Sequence, residues 1–357
     1  MTAPDSPSDA QPSTGTYGNF SNPLGLVYRM LRSGKRSARA ALFREGFRLI
    51  LTPVDLVMSL IERRSLRNPP PRQHPMVLVV GPPRCGTTLV YQVLARYCDV
   101  SCLTNLSSLF PRAPLTASRW FGRPLDNVPP AIESYYGQTA RLCDPNDGFH
   151  AWNRWLGDDR YQTAQDISAA AASEMNRFFA AWTSALPKPF LNKNNRNTEC
   201  MRLLSENLAD IFFVVVRRDL TASARSLIRS RLDIQGDRNT PWGLRSRQLK
   251  GNDDPLGYVD DVCDQLYEIE SRIQRETSGI DSKRMIEVTY EKFCDDPKSV
   301  LQQLRQTVPG LQLRESLIAD ELQPFRRSLG KELSPAEEQR LSQSLKTSKP
   351  TQPTSST

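Results

Sequence analysis

MVLVVGPPRCGTTLVYQVLARY, residues 76–97, is the stretch that decides the fold of this chain. The apolar run of residues 77–80 predicts a buried strand, and residues 87–97 have the apolar period of a helix. The intervening loop, which starts at Gly81, brings backbone N–H groups and the positive end of the helix dipole to one point. Thr87 and Thr88 add hydroxyl donors there. This order of strand, loop and helix predicts a binding site for a phosphate group.

The loop differs from that of nucleoside triphosphatases at one position. In the pattern G-x-x-x-x-G-K followed by Ser or Thr, the lysine reaches the β- and γ-phosphates of a triphosphate. Here Thr87 occupies the lysine position, and Arg84 supplies a cation from inside the loop. The loop GPPRCGTT is therefore predicted to hold a different phosphate donor, with a nucleotide kinase or NTPase as the alternative.

Length and composition limit the class of protein. The chain has 357 residues, 38% of them hydrophobic, and a net charge of +8, which allows one large α/β domain with appendages. No segment approaches the roughly 20 apolar residues of a membrane span, and the polar N-terminus does not resemble a secretory signal. The charge suits a polyanionic ligand, and we expect no nucleic-acid partner. Seven cysteines without a C-x-x-C pair predict reduced thiols, a cytoplasmic location and no metal site.

Composition also divides the chain into segments. Residues 1–24 and 345–357 are rich in small polar residues and proline, and they are predicted to be disordered tails. Residues 25–67 form a basic amphipathic helical arm, and residues 68–75 form a proline-rich linker. Residues 76–330 then make up the α/β domain.

Two interpretations of the basic arm are open. Its first half carries seven Lys and Arg residues against the single acid Glu45, and apolar residues recur among them at helical spacing. Pro53 is expected to break or restart the helix. Such a helix can lie on an anionic membrane, here peripherally at the inner face. Alternatively, the arm packs on the catalytic domain and presents a solvated basic face.

From residue 76 onward, strand and helix patterns alternate. The candidate strands are residues 77–80, 100–103, 190–192, 211–216 and 285–288. The candidate helices are residues 87–97, 164–184, 198–207, 220–230, 255–278 and 298–307. This alternation predicts an α/β, P-loop-type three-layer fold with a central, mostly parallel sheet flanked by helices. Such sheets bind ligands at the carboxyl ends of their strands.

A second strand-to-helix junction, IFFVVVRRDLTASARS, has the same order of apolar strand, polar loop and helix as the first. Arg217 and Arg218 follow a strand-like apolar run, and Asp219 opens the next helix, which carries Ser223 and Ser226. An arginine at a strand end and a serine from a helix can hold a second phosphate. The alternative is that Arg218 simply pairs with a neighbouring acid such as Asp219.

With both junctions, the chain resembles the sulfotransferases that use 3′-phosphoadenosine-5′-phosphosulfate (PAPS). GPPRCGTT is similar to that family's 5′-phosphosulfate loop. Arg218 and Ser226 are similar to the pair of residues that binds the 3′-phosphate in that family. FLNKNNRNTECMRLLSENLADIFFVVVRRD resembles the lysine-bearing segment, with Lys193 as its lysine. MIEVTYEKFCDDPKSVLQQL resembles the later strand and helix, where Tyr290 can approach the nucleotide. The resemblance covers residues 75–309 and is nearer the bacterial, tyrosylprotein and carbohydrate branches than the small-phenol branch.

The resemblance implies a reaction and a set of site residues. A sulfuryl group would pass in line from PAPS to an acceptor hydroxyl, without a metal, and residues 76–330 would be the sulfotransferase domain. Arg84 and Lys193 would stabilise charge on the bridging oxygen as its bond breaks. The implied nucleotide-binding residues are Pro83, Arg84, Cys85, Gly86, Thr87, Thr88, Arg218, Ser226 and Tyr290.

The general base stays open among several residues. The tyrosylprotein branch has a glutamate shortly after the phosphate loop, but residues 100–114 contain no acid, which argues against a tyrosine acceptor. His150, in the polar and aromatic segment DPNDGFHAWNRWLGDDRY, is the first candidate. The alternatives are Asp144, Asp147, Asp158 and Asp159.

The acceptor is predicted more coarsely. Trp152 and Trp155 either stack on a sugar ring or fill the core. The loop 236–254, which contains Trp242, has the composition of a mobile lid. A carbohydrate, a glycolipid or another bulky alcohol is therefore the favoured acceptor. The second alternative to this enzyme is a non-catalytic, nucleotide-binding protein at a membrane surface.

Overall fold

A computed structural model describes residues 20–125, 128–157, 164–244, 254–330 and 332–347. Most of the two predicted tails lies outside these ranges. Two of the candidate bases, Asp158 and Asp159, also lie outside the described residues.

The centre of the fold is a five-stranded parallel sheet. Its strands are β1 Met76–Val80, β2 Ser101–Cys102, β3 Phe190–Lys193, β4 Ile211–Arg217 and β5 Met285–Thr289. They are arranged in the order β2-β3-β1-β4-β5, and every neighbouring pair is parallel. The predicted α/β class and all five predicted strands are thereby confirmed. Because all strands run the same way, the segments that follow them meet at one edge of the sheet.

Helices cover both faces of this sheet. They are α1 Pro23–Arg32, α2 Arg36–Ile50, α3 Thr52–Ser65, α4 Thr87–Tyr97, α5 Asn105–Ser108, α6 Pro114–Phe121, α7 Phe149–Leu156, α8 Ala169–Ala185, α9 Met201–Asn207, α10 Leu220–Ser230, α11 Gly257–Thr277, α12 Tyr290–Asp295, α13 Pro297–Thr307, α14 Glu315–Glu321 and α15 Pro335–Thr347. Helices α4 and α10 have the predicted bounds. Helix α8 begins later than predicted because the side chain of Ser168 caps it by accepting from Ala171 N–H.

Alternation along β1 creates the two core layers. Met76, Leu78 and Val80 face one apolar cluster, and Val77 and Val79 face the other. Side chains alternate between the two faces of a strand, so an uninterrupted apolar run packs helices on both sides. This gives the three layers that the sequence predicts.

Trp152 and Trp155 belong to the first of these core layers. Their rings pack against each other and against Phe179 in a cluster of aromatic side chains. The Trp152 indole N–H donates to Asn192 Oδ1 at 2.8 Å. Of the two alternatives for these indoles, filling the core is therefore correct and stacking on a sugar is not, because both are buried.

The N-terminal arm folds as three helices, α1–α3, packed on the α/β domain. A new helix starts at Thr52 with Pro53 in its first turn, as the sequence predicts. Asp55 accepts from Arg112 N–H at 3.1 Å, and Glu62 accepts from Thr116 N–H at 2.7 Å near the start of α6. Burial raises the pKa of both carboxyl groups.

Helix α3 has an inverted amphipathic pattern. Its inner face carries polar Asp55, Ser59 and Glu62 besides Met58, and these four residues are buried. The large apolar residues of α3 that point outward are Val54, Leu56, Val57 and Leu60. The arm thus packs on the domain, as one interpretation predicts, but much of its outward surface is apolar. No helix in the described ranges is long and apolar enough to cross a membrane.

Candidate functional site

The phosphate loop between β1 and α4 is fixed by close backbone contacts. Gly81 N–H donates to Thr198 Oγ1 at 3.1 Å, and Thr198 lies in the segment that follows β3. Gly86 has a φ of 100°, and a Cβ atom there would lie 2.3 Å from Cδ2 of Tyr290. Glycine is therefore required at this position, because both the backbone angle and the space exclude a side chain. Elements that follow β3 and β5 thus hold the loop in place.

Arg84 has an unusual backbone conformation at the centre of this loop. Its φ of 68° lies in the left-handed region, which costs a non-glycine residue about 1–2 kcal/mol. Its Nε–H donates to Ser226 Oγ at 3.0 Å, and its guanidinium lies 4.9 Å from the centre of the Tyr136 ring. Burial lowers the pKa of Arg84, and the positive charge of Arg218 acts in the same direction. The guanidinium still remains a cation, since arginine is not deprotonated in proteins.

Arg218 links the second strand-to-helix junction to the first. It follows β4, and one of its terminal N–H groups donates to the backbone oxygen of Arg84 at 2.9 Å. Its guanidinium lies 4.4 Å from the centre of the Tyr290 ring. The Nε–H of Arg218 is buried and has no acceptor among the described residues. A buried donor without a partner is costly, and a bound anion would satisfy it.

Arg217, the neighbour of Arg218, faces different partners. Its guanidinium contacts the carboxylate of Glu270 and lies 3.9 Å from that of Glu287. The two adjacent arginines therefore have separate contacts, and of this pair Arg218 is the one that contacts the loop between β1 and α4.

Ser328 also contacts Arg218 and Tyr290, and the sequence did not predict this. Its backbone oxygen accepts from Arg218, and its backbone N–H donates to the Tyr290 hydroxyl at 3.3 Å. The surrounding residues 322–330 contain neither a helix nor a strand. The sequence signal available there is the pair Arg326 and Arg327 in a run without helix or strand periodicity.

Lys193 and Asp147 form a largely buried ion pair at the end of β3. Lys193 is 4% exposed, and its Nζ lies 3.0 Å from Oδ2 of Asp147. The side-chain amide of Asn194 donates to the Asp147 backbone oxygen at 3.1 Å, which fixes the loop in front of α7. The predicted cation Lys193 is therefore held beside one of the candidate bases.

The other described base candidates differ in their surroundings. His150 lies on α7, and its Nε2 contacts a guanidinium N–H of Arg48. Because arginine is only a donor, this ring nitrogen acts as an acceptor. Asp144 is fully buried, and its carboxylate accepts from the backbone N–H groups of Ala131 and Arg141, each at 2.8 Å. Asp144 therefore serves as an internal anchor for its loop.

A cavity of about 410 Å³ opens beside the phosphate loop. Asp147, His150 and Tyr136 are among its lining residues. Trp242, from the predicted lid, also lines it and lies edge-on to Tyr136, with 5.9 Å between ring centres. Residues 245–253 of that predicted lid lie outside the described ranges.

Comparison with known proteins assigns the chain to a family. A model of the sulfotransferase family matches residues 75–312, well over half of the chain. The chain belongs to the sulfotransferase family. The match confirms the resemblance inferred from the two phosphate junctions and supports sulfotransferase activity. A search of curated proteins found no match.

One solved sulfotransferase shares the fold of this chain. The structure of sulfotransferase STF9 from Mycobacterium avium is 16% identical, with a TM-score of 0.51, over 82% of this chain and 81% of that one. Sulfotransferase STF1 from Mycobacterium tuberculosis H37Rv is 12% identical, with a TM-score of 0.45, over 80% and 81%. At such identities the likeness concerns the fold alone. In the described part of the chain, no group of three or more His, Cys, Asp or Glu residues could hold a metal ion.

Proposed function

We propose that this sulfotransferase uses PAPS as its donor and transfers the sulfuryl group to an acceptor hydroxyl in the adjoining cavity. The proposal depends mainly on the contacts of Arg84. Its side chain contacts Ser226 and its backbone oxygen contacts Arg218, so the two strand-to-helix junctions meet at one place. A donor with phosphates on its 5′ and 3′ sides matches two arginines from two different loops. The buried, unpartnered Nε–H of Arg218 supports an anion at the 3′ side.

Each residue of the phosphate loop has a defined part in this proposal. Backbone N–H groups at the start of α4 and the hydroxyls of Thr87 and Thr88 hold the 5′-phosphate. Pro83 has no backbone N–H, and the Cys85 N–H donates to the Pro82 oxygen at 3.3 Å, so these two residues shape the loop. Burial raises the pKa of the Cys85 thiol to about 12, so it stays protonated at neutral pH. Tyr290 packs beside both Gly86 and Arg218, where the nucleotide would lie.

In the proposed reaction one bond to sulfur breaks and one forms, and the released proton passes to a side chain of this site. The bond between sulfur and the bridging phosphate oxygen breaks, and its electron pair stays on that oxygen. The acceptor oxygen forms the new bond to sulfur, and its proton passes to a base. Arg84 and Lys193 stabilise the negative charge on the departing phosphate oxygen.

A transfer assay tests the proposal against its rival. PAPS labelled in the sulfuryl group is incubated with the protein and a panel of alcohols and sugars, and Mg·ATP is tested in parallel. We expect labelled sulfate ester together with 3′,5′-adenosine bisphosphate in equal amounts. Phosphoryl transfer from Mg·ATP, with the PAPS label unmoved, would instead identify a kinase on this loop.

For the general base, we propose Asp147 ahead of His150. Both line the cavity, but Nε2 of His150 already accepts from Arg48. Asp147 stands beside Lys193, so a proton taken from the acceptor would reach a carboxylate close to the reacting phosphate. This order reverses the one that the sequence favours.

Two matched variants separate these bases. Asp147→Asn is expected to lower kcat by about 100-fold or more, the usual contribution of a positioned base, with little change in donor affinity. His150→Asn is expected to retain most of the activity. A comparable loss of kcat in His150→Asn, with a normal kcat for Asp147→Asn, would assign the role to His150.

For the arm, we propose that it docks peripherally on an anionic membrane at the inner face, with the protein otherwise in the cytoplasm. Its exposed apolar residues include Phe43, Phe47, Leu49, Ile50 and Leu60. Exposed cations of the same helices and of the turn after them are Lys35, Arg36, Arg39, Arg63, Arg64 and Arg67. Apolar side chains bordered by cations complement acyl chains below anionic headgroups, which favours a lipid bilayer over an apolar protein surface.

Flotation with vesicles tests the docking surface. Wild-type protein should bind vesicles rich in phosphatidylserine much better than vesicles of phosphatidylcholine alone. Leu49→Ser with Ile50→Ser should weaken binding by about tenfold per residue, since each removes an inserted aliphatic side chain. Leu142→Ser, at an exposed apolar residue outside α1–α3, is the control and should bind normally. Equal binding of all variants, or none by wild type, would contradict membrane docking and favour a protein partner.

A further inference from the structure

The cavity beside the phosphate loop is built jointly by the arm and the α/β domain. From the arm, α1 and α2 contribute apolar side chains, among them Leu26, Val27, Met30, Ala41 and Leu42. The wall contributed by the α/β domain includes the aromatic and apolar residues Tyr135, Tyr136, Ile234, Trp242 and Leu244, beside polar residues such as Gln138 and Asn146. The volume of about 410 Å³ lies within the range of roughly 300–1,000 Å³ that small-molecule sites occupy.

The charged arm residues in this wall already have protein partners. A terminal N–H of Arg44 donates to Gln138 Oε1 at 2.7 Å. Arg48 forms an ion pair of 2.7 Å with Glu45. These charges therefore do not by themselves indicate a charged ligand in the cavity.

One end of the cavity meets the reacting groups. Asp147, which lines the cavity, is the ion-pair partner of Lys193. Tyr136, also in the lining, lies against the guanidinium of Arg84. Gly243 lines the cavity as well, and a Cβ atom there would lie 3.3 Å from Cβ of Pro83 in the phosphate loop. Two lining residues of this largely apolar cavity, Asp147 and Tyr136, thus contact the cations proposed for sulfuryl transfer.

We propose that the acceptor is a lipophilic alcohol. Its hydroxyl lies at Asp147, and its hydrocarbon part extends between α1–α2 and the aromatic wall. The inference rests on the proposed function and adds the substrate class and an acceptor-binding role for the arm. A sugar fits this chamber poorly, because its many hydroxyl groups would lose water against apolar walls. Trp152 and Trp155, which could have stacked on a sugar, are in the core.

The entrance of the cavity supports the same substrate class. Val27 lines the cavity and is also 40% exposed, so α1 forms part of the entrance. Next to it on the same helix, Leu24, Tyr28 and Leu31 are exposed apolar side chains. An alcohol with a hydrocarbon chain can therefore pass along α1 without leaving apolar surroundings.

A homologous series of alcohols tests the inference. Transfer from labelled PAPS is measured with 1-butanol, 1-hexanol and 1-octanol, and with glucose as the polar comparison. Each added methylene should raise kcat/KM by up to about fourfold, the value of burying one methylene group. A flat series, or faster transfer to glucose than to octanol, would overturn the proposal.

Variants on both arm helices test the cavity wall. Val27→Asp and Leu42→Asp place a carboxylate in the cavity wall and should raise the KM for octanol by about tenfold or more. Leu142→Asp changes an exposed leucine that lines neither the cavity nor its entrance, and it should leave that KM unchanged. Because Val27 is partly exposed, its variant should fold even if Leu42→Asp does not, and thermal melting checks both. An unchanged KM in folded Val27→Asp would contradict the assignment.

Binding of the bisphosphate product distinguishes a failure of the donor assignment from a failure of the acceptor inference. Affinity for 3′,5′-adenosine bisphosphate should be the same in wild type, Val27→Asp and Leu42→Asp. If the bisphosphate binds but alkyl alcohols are not sulfated while a sugar is, the acceptor inference alone fails. If the bisphosphate does not bind to wild type, the donor assignment fails, and the acceptor inference falls with it.

Discussion

Arg84→Ala is expected to lower kcat by about 1,000-fold, with a much smaller effect on KM for the donor. The guanidinium is enclosed between Ser226 and the Tyr136 ring, so it is held in place before the reaction begins. A preorganised cation in a site shielded from water stabilises developing charge far more than a solvated one does, and loss of one such group costs about 100- to 1,000-fold. Single-turnover measurements with bound PAPS give the chemical step directly.

Arg84→Lys provides the matched comparison. It keeps the charge but loses the planar group that contacts Ser226 and Tyr136 together. We expect an intermediate rate, about tenfold above that of Arg84→Ala, if charge and fixed geometry both contribute. Alanine and lysine share the strain of the left-handed backbone at this position, so their thermal stabilities should be similar. Wild-type rates in Arg84→Ala would remove Arg84 from the mechanism.

Arg218→Ala has the second large expected effect, on donor affinity. Arg218 contacts the phosphate loop at Arg84, stacks on Tyr290 and has one buried N–H group without an acceptor among the described residues. A charged hydrogen bond contributes about 1.5–3 kcal/mol, so the Kd for 3′,5′-adenosine bisphosphate should rise by roughly 10- to 100-fold.

The contribution of the 3′-phosphate to donor affinity can be measured by comparing two ligands. Wild-type protein should bind the bisphosphate more tightly than 5′-AMP, which lacks the 3′ group, and Arg218→Ala should lose most of that preference. Arg217→Ala is the neighbouring control; it should cost stability, because Glu270 loses its partner, but keep the preference. A preserved preference in Arg218→Ala would show that another group holds the 3′-phosphate.

Local sequence signals were sufficient to predict the sheet and the two strand-to-helix junctions. The apolar runs that became β1 and β4 are buried on both faces, and such runs are typical of central parallel strands. Helix α10 begins where predicted because Asp219 caps it by accepting from Ala222 N–H at 2.8 Å. The meeting of Arg84 with Arg218 follows from parallel strands that end at one edge of the sheet.

Contacts between distant segments could not be predicted in the same way. The apolar spacing of α3 is the same whether that face points inward or outward. Its orientation depends on Asp55 and Glu62, which bind backbone N–H groups of Arg112, Leu115 and Thr116. The order of the candidate bases likewise depends on the contacts of Lys193 and Arg48 across the fold. Ser328 lies in a segment without regular secondary structure, so no periodicity marks it.

Calorimetric titration of the wild-type protein in the presence of a metal chelator tests the central claim most directly. The two joined phosphate junctions predict that one molecule of 3′,5′-adenosine bisphosphate binds per chain without a divalent cation. In a parallel titration with magnesium, ATP should bind at least about tenfold more weakly, because Thr87 replaces the lysine that holds the β- and γ-phosphates. Tight binding of Mg·ATP, with no heat from the bisphosphate, would contradict the account.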